Sequence, residues 1–344
     1  MLKCYYKHKV AVIQHSIKDG GSMIIKRKNQ FFLLVILLIF ISVACSKGAN
    51  SEEQIETSIE ENYYTFTDAM GVEVVLEKEP EIVVSLVGSY SETWVLAGGS
   101  LVGVTDDVEK EGRMEITNNM QVVGTIKEPN LEEILSLDPD FVLLTPDVDN
   151  QIKIAETLKQ LNINHAFFKV EEFEDYLNML NICTDITGKK ELYEKNGLLV
   201  QKEIEDILSK VDNKDKEIKV LFIRAFSSGA KAKKDDNMTC TMLRNLGTVN
   251  IAAEHPSLLE ELSIEEIIEE DPDFIFVTTM GNEQKALDGL KNGIEKNPAW
   301  NSLSAVKNDR YIILPKELFH YKPNAKWGES YRYLAEIIYP EIFN

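Results

Sequence analysis

The chain has 344 residues, with 37 Lys and Arg against 57 Asp and Glu and a formal net charge of −20. That length gives two lobes with full cores, and the acidic balance repels a phosphate backbone, which excludes DNA and RNA as partners. Beyond Cys45 only Cys183 and Cys240 remain; they are too few for a disulfide framework and read as small core residues.

Lys26, Arg27 and Lys28 precede an uncharged, mostly apolar run from Phe31 to Ala44, followed by Cys45. This is a basic n-region, an apolar h-region and a small-residue break, a secretory signal too short for a membrane span. Ile41-Ser42-Val43-Ala44-Cys45 resembles a lipobox, with Ser42 where leucine is commonest, and makes Cys45 the expected lipidated residue. Met23 reads as the translation start because the basic stretch follows it at once. Residues 1–44 are thus a signal region, and 45–62 a polar, acidic tether. Without the signal region 30 basic residues face 56 acidic ones.

Order begins near Tyr63. Tyr64-Thr-Phe-Thr and Val72-Glu-Val-Val-Leu alternate around Asp68-Ala-Met-Gly71, a hairpin pattern. Glu81–Leu86 reads as a strand, Gly88–Ala97 as a helix ended by Gly98-Gly99, and Leu101–Thr105 as the next strand. A polar loop, Asp106–Asn119, leads to a short strand at Val122. Residues 130–145 then read Asn-Leu-Glu-Glu-Ile-Leu-Ser-Leu-Asp-Pro-Asp-Phe-Val-Leu-Leu-Thr. A capping-box start at Asn130, with Glu133 three positions on, predicts a helix that Asp-Pro stops before a buried strand. Ile152–Leu161 reads as a helix and His165–Val170 as a strand.

From Phe173 to Val211 the pattern is helical only, interrupted by Thr187-Gly188, so this stretch is a long connection. After a charged turn at 214–217, Val220–Ala225 opens a second alternation, with a helix ending at Gly247. Residues 263–278 repeat the earlier unit at an offset of 133, identical at eight of sixteen positions, including both Glu-Glu pairs and both Asp-Pro-Asp-Phe runs. Tyr311–Leu314 is the last strand, and Gly328–Tyr339 a closing helix with Tyr331, Leu334, Ile337 and Ile338 on one face. Two distant copies of one helix–turn–strand unit predict an α/β protein of two similar lobes, each on a mostly parallel sheet covered on both faces. The boundaries are 63–172, 173–213 for the helical connection, and 214–344.

These motifs in this order, from Tyr63 onward, resemble one family. Asp68-Ala-Met-Gly71, Glu81-Ile-Val-Val-Ser-Leu86, the Asn130-Leu-Glu-Glu-Ile unit with its Asp-Pro-Asp, and Asn297-Pro-Ala-Trp300 before Ala305-Val-Lys are similar to the iron-siderophore/cobalamin type of ABC-importer substrate-binding protein. The resemblance implies a class III periplasmic-binding-protein fold, two Rossmann-like lobes joined by a long helix, with ligand between them. It also implies an ABC permease dimer as partner, docked through an acidic residue on each lobe. Glu132 and Glu265 match those positions; as first-turn carboxylates they also stabilise their own helix dipoles. No cofactor is implied, a monomer is expected, and the chain is placed on the extracytoplasmic face of the membrane through its lipid.

Ligands of open α/β sheets bind at the carboxyl ends of strands. In the first lobe that edge offers Ser89, Tyr90 and Trp94, with Thr145 and Asp147. In the second it offers Arg224, Phe226, Ser227, Ser228, Lys231 and Lys233, then Thr279 and Met280, then His320, Tyr321, Lys322 and Trp327. Basic groups gathered in so acidic a chain point to an anionic or carboxylate-bearing ligand, a ferric siderophore or haem, with cobalamin or another metal-containing ligand as alternative. His320 and Tyr321 are residue types that ligate haem iron. Lys231, Lys233 and Lys234 also read as a solvated loop, and Trp94 as core. A bare metal-ion site lacks converging ligands, since His165, His255 and His320 have no local spacing. An enzyme lacks any Gly-x-Ser-x-Gly, Walker or His-Glu-x-x-His motif. A surface sensor or adhesin of the same fold is the remaining alternative.

Overall fold

The computed structural model describes residues 62–211, 217–234 and 236–343. The signal region, Cys45 with the tether through residue 61, and most of the charged turn at 214–217 lie outside the described residues. Tyr64–Thr67 (β1) and Glu73–Leu76 (β2) pair antiparallel as a separate hairpin. Its turn is built on the buried Asp68 carboxylate. One oxygen accepts from the Met70 and Val72 amides at 2.9 Å each, and the other from the Phe167 amide at 3.1 Å, fastening the hairpin to the sheet beside it.

That sheet is parallel. Val83–Ser85 (β3), Gly103–Val104 (β4), Gln121–Val122 (β5), Phe141–Leu144 (β6) and Asn164–Phe167 (β7) lie in the order β5-β4-β3-β6-β7. Helices Gly88–Leu96 (α1), Leu131–Ser136 (α2) and Asp149–Gln160 (α3) connect them. Side chains alternate between two faces. Val84, Val142 and Leu144 pack with Ile154 and Leu158 of α3, whereas Val83, Phe141 and Leu143 face Trp94.

The connection is helical, as its spacing predicts. Phe173–Ile186 (α4) stops at Gly188, whose φ of +67° suits glycine. A continuous helix then runs from Lys190, through a π-helical turn at Glu194–Leu198 that the sequence pattern does not reveal, into Leu199–Val211 (α5). The wide turn brings Gly197 against Leu177, Leu180 and Tyr193, where a Cβ would sit 3.0 Å from a Leu177 methyl.

The second sheet repeats the first. Ile218–Phe226 (β8), Thr248–Asn250 (β10), Phe274–Thr279 (β11) and Tyr311–Ile313 (β12) run parallel in the order β10-β8-β11-β12, and Gly229–Ala232 (β9) folds back antiparallel on β8. Neither β9 nor β10 is legible in the sequence pattern, because both are short and carry no clean alternation. Met238–Asn245 (α6), Ile264–Glu270 (α7), Glu283–Asn292 (α8) and Trp327–Ile338 (α9) cover the sheet. One continuous core joins the inner faces of both sheets through α4, α5 and α9, with Tyr176, Ile204, Ile207 and Leu334 buried in it.

The repeated unit folds the same way twice, with one correction. Asn130 caps α2 by accepting from the Glu132 and Glu133 amides, and Ser263 caps α7 by accepting from Glu266. The expected reciprocal bonds are not made. Glu133 accepts from the Gln121 side chain and Glu266 from Ser257, while the Asn130 amide is already spent on the Val123 carbonyl at 2.7 Å. The Asp before each proline, Asp138 and Asp271, takes left-handed φ values of 52° and 39°. The second Asp of each unit then holds the start of the neighbouring strand: Asp140 accepts from the Glu81 and Ile82 amides, and Asp273 from Lys219.

Asp68→Ala leaves three backbone amides without their charged acceptor. The expected loss is about 3 kcal/mol of unfolding free energy in urea denaturation; a loss below about 1 kcal/mol would show that the hairpin is held by its apolar face alone.

Candidate functional site

In both sheets the strand order reverses between the two central strands, β3 and β6 in one and β8 and β11 in the other. Loops leaving those strands part to opposite sides, so each sheet opens a crevice at its carboxyl edge. In the first, the α1 start stands beside Thr145–Asp147. Tyr90 donates from its hydroxyl to the Phe168 carbonyl at 2.7 Å, and Gln151 ties the edge by donating to Leu86 and Ile126 and accepting from the Thr145 amide.

In the second crevice several buried polar groups have no hydrogen-bond partner among the described residues. Arg224, near the end of β8, has its Nε buried and without a partner; the hydroxyls of Thr278 and Thr279, buried at the end of β11, are also unpartnered. His320 follows a helical turn at Lys316–Phe319, and its Nδ1 is buried and unpartnered. Lys316 donates to the Gly281 carbonyl at 2.6 Å. Among the described residues none of Arg224, Lys316 or Lys322 has a carboxylate within ion-pair distance.

The electrostatics follow. Burial, then the positive charges of Arg224, Lys316 and Lys322, push His320 down from 6.5 to about 4, so its imidazole is neutral at neutral pH. Burial also lowers Arg224 and Lys322. Lys322 feels Glu171 and Asp147 of the first lobe, Asp175 of α4 and Arg224 of the second lobe. Tyr321 lies under the Arg113 guanidinium at 5.9 Å and near Lys316 at 6.0 Å; burial raises its phenol.

The structure brings Arg224, His320, Tyr321 and Lys322 near one another. Lys231 lies across from Arg224 in the β8–β9 pairing and is exposed, Lys233 and Phe226 are half-buried beside it, and Ser227, Ser228 and Met280 are exposed at the rim. Ser89 is buried and offers its carbonyl to Asn324. Two aromatic residues fall elsewhere. Trp94 is 2% exposed, packed on Phe141 with its Nε1 donating to the Ser100 carbonyl, and Trp327 is 1% exposed against Phe173, so both rings are core groups of the inner layer. The sequence offered Trp94 both as a cleft residue and as core, and Trp327 as a cleft residue; helix α1 and helix α9 turn both rings inward. Sequence reasoning missed Lys316, Thr278, Glu92, Arg113 and Asn324. Arg113 sat in a loop that gave no period, and only its being the lone basic residue between Glu111 and Asn119 set it apart.

Among the described residues no group of three or more His, Cys, Asp or Glu is placed to hold a metal ion. Two parallel-sheet lobes joined by a long helix, with crevices at both switch points, define a two-lobed solute-binding protein. Residues 83–318 match the family described as periplasmic binding protein, and the chain belongs to that family, as a substrate-binding protein of the ABC-importer type and not an enzyme. The iron-uptake system-binding protein of Bacillus subtilis is 26% identical over 298 residues, 83% of this chain and 90% of that one. The uncharacterised ABC transporter substrate-binding lipoprotein YvrC of the same organism is 26% identical over 333 residues, 92% and 99% of the two chains. The crystal structure of S. aureus IsdE complexed with heme superposes with a TM-score of 0.61 at 17% identity, over 75% of this chain and 98% of that one, and shares the fold.

His320 gives a pH test. Below 6.5 the unfolded chain takes up a proton that the folded chain refuses until about 4, so this group's contribution to stability is full above 6.5 and is lost as pH falls toward 4. Measured by urea denaturation across that window, His320→Gln is expected to lose less stability than the parent chain; parallel losses would show that His320 protonates freely in the fold.

Proposed function

We propose that the chain is a lipid-anchored, extracytoplasmic binding protein that captures an anionic iron complex of the ferric-siderophore class between its lobes and delivers it to an ABC permease dimer. The observation that carries this reading is the gathering of Arg224, Lys316 and Lys322 around His320, with no carboxylate in ion-pair contact with any of the three among the described residues. Half-buried cations with no carboxylate beside them are costly in an empty cleft and are relieved by an arriving anion. The same charges repel a bare metal cation. The similarity to an iron-uptake system-binding protein and to a lipoprotein supports iron and the anchor.

Glu132 and Glu265 support docking. Both are exposed in the first turns of α2 and α7, one on each lobe, and neither carboxylate has a hydrogen bond or ion pair among the described residues. Two unspent charges at corresponding places suit a two-fold basic partner.

Haem is a second reading, favoured by His320. A neutral imidazole with a buried, unpartnered ring nitrogen is available to ligate iron, whereas burial keeps the Tyr321 phenol protonated.

Calorimetric titration with ferric citrate, a panel of ferric siderophores, haemin and cobalamin separates these. Arg224→Ala is expected to weaken an anionic ferric complex about 10- to 100-fold, the loss of one charge-assisted contact. Haemin binding with a Soret shift abolished in His320→Ala establishes the second reading instead, and tight binding of cobalamin alone refutes both. In cells, Glu132→Ala combined with Glu265→Ala is expected to abolish uptake with binding unchanged; normal uptake would remove the docking assignment.

A further inference from the structure

The ligand-bearing loop of the second lobe is held by the first. Asn324, 2% exposed and at a left-handed φ of 52°, spends both protons of its side-chain amide across the lobe boundary, on the Ser89 carbonyl at 2.9 Å and on Glu92 Oε2 at 2.8 Å. Glu92 Oε2 also accepts from Arg113 Nη1 at 2.8 Å. The Arg113 side chain, 6% exposed, gives Nε to Glu111 at 2.7 Å and a second bond from Nη1 to the Lys322 carbonyl at 3.0 Å, with its guanidinium over the Tyr321 ring.

Glu92 is therefore a hub. It stands on α1, whose own first amide, that of Gly88, is fixed by Asp107 at 2.7 Å, so the acceptor is anchored in the first lobe. Two donors converge on it, one from a loop of its own lobe and one from the loop that carries His320, Tyr321 and Lys322. Asparagine suits the boundary position twice, since it tolerates the left-handed backbone and supplies two donors for two acceptors. Glu92 and Arg113 also bond each other within the first lobe, but the Asn324 bonds and the Arg113 bond to the Lys322 carbonyl run between the lobes. Each lobe has its own sheet, and these bonds add a polar tie between the lobes to the core that their inner faces share.

We propose that Glu92, Arg113 and Asn324 form an interlobe clasp that positions the His320–Lys322 loop over the cleft and holds the lobes at a fixed opening. As a statement about ligand it rests on the cleft reading above. As a statement about the lobes it does not. The three are positioning residues. They set where Lys322 and Tyr321 stand, and a ligand meets a preformed loop whose ordering cost is already met.

Hydrogen exchange of the full chain without ligand tests the clasp. Asn324→Gly keeps the left-handed backbone and removes only the amide; Arg113→Ala removes the second tie, and Arg113→Lys restores a charge without the fork. Segments 88–96 and 316–327 are expected to exchange at least tenfold faster in the first two variants, with strands β6 and β11 unchanged and Arg113→Lys intermediate. Exchange within twofold of the parent in both variants overturns the proposal, as does a rise spread evenly over both lobes in both, which would make these residues general folding elements. Titration with ferric citrate and haemin forms the second arm. Whichever probe the parent binds is expected to bind the variants at least tenfold more weakly, through faster dissociation. Equal affinity with faster exchange would overturn the positioning role and leave only the lobe tie. A parent that binds neither probe refutes those two ligands, and the exchange result still decides the clasp.

Discussion

The molecule depends on an aspartate at the foot of each central strand pair. Asp140 and Asp273 accept the first amides of the neighbouring strand, and so set β3 against β6 and β8 against β11 from their starts. Register in a parallel pair fixes where both strands end. Because the pairs start level, their carboxyl ends open level, and the loops that carry Tyr90, Thr145, Arg224 and Thr279 stand at the rim of a crevice. The same four-residue motif, Asp-Pro-Asp-Phe, ends a helix, turns the chain and seats the first apolar side chain in the core.

Charge is then distributed against the average. The chain as a whole is strongly acidic, yet the second lobe's crevice collects Arg224, Lys316 and Lys322 with no carboxylate in ion-pair contact among the described residues, the acidic group that acts on Arg224 being Asp236. Asp147 and Glu171 of the first lobe and Asp175 of α4 act on Lys322 from the other side. Charge of opposite sign therefore acts on Lys322 from the two sides. Elsewhere on the surface, ion pairs such as Glu203 with Arg332 are exposed and contribute little, except that this one joins α5 to α9.

The connecting helix makes the lobes one body. Its buried face, with Val200, Ile204 and Ile207, belongs to the same core as both inner sheet faces, so a lobe that swung freely would have to open that core. The π-helical turn places Asn196 so that its side chain donates to the Leu96 carbonyl at the end of α1, and its carbonyl accepts from Tyr176. Helix, sheet and cleft loops therefore share supports.

Much of this was legible in the chain. The duplicated unit, its caps and its Asp-Pro stops announced two α/β lobes, because capping and proline effects act within a few residues and need no tertiary partner. The long helical stretch and its break at Gly188 were legible for the same reason. Placement at the strand edges pointed to Arg224, His320, Tyr321 and Lys322, which the fold brings near one another. It failed for Trp94 and Trp327, where the side of the helix that faces the core decides the matter and both sides carry large residues. The capping-box reading expected reciprocal bonds that are not made, because Gln121 and Ser257, brought near only by folding, take the two glutamates. What the sequence determined by itself was local: periodicity, caps, breaks and the repeat. Only the tertiary structure decided that Arg113, 209 residues from Lys322, would reach its carbonyl, and that Glu92 would receive Asn324, since contacts at such separations depend on how two finished sheets meet.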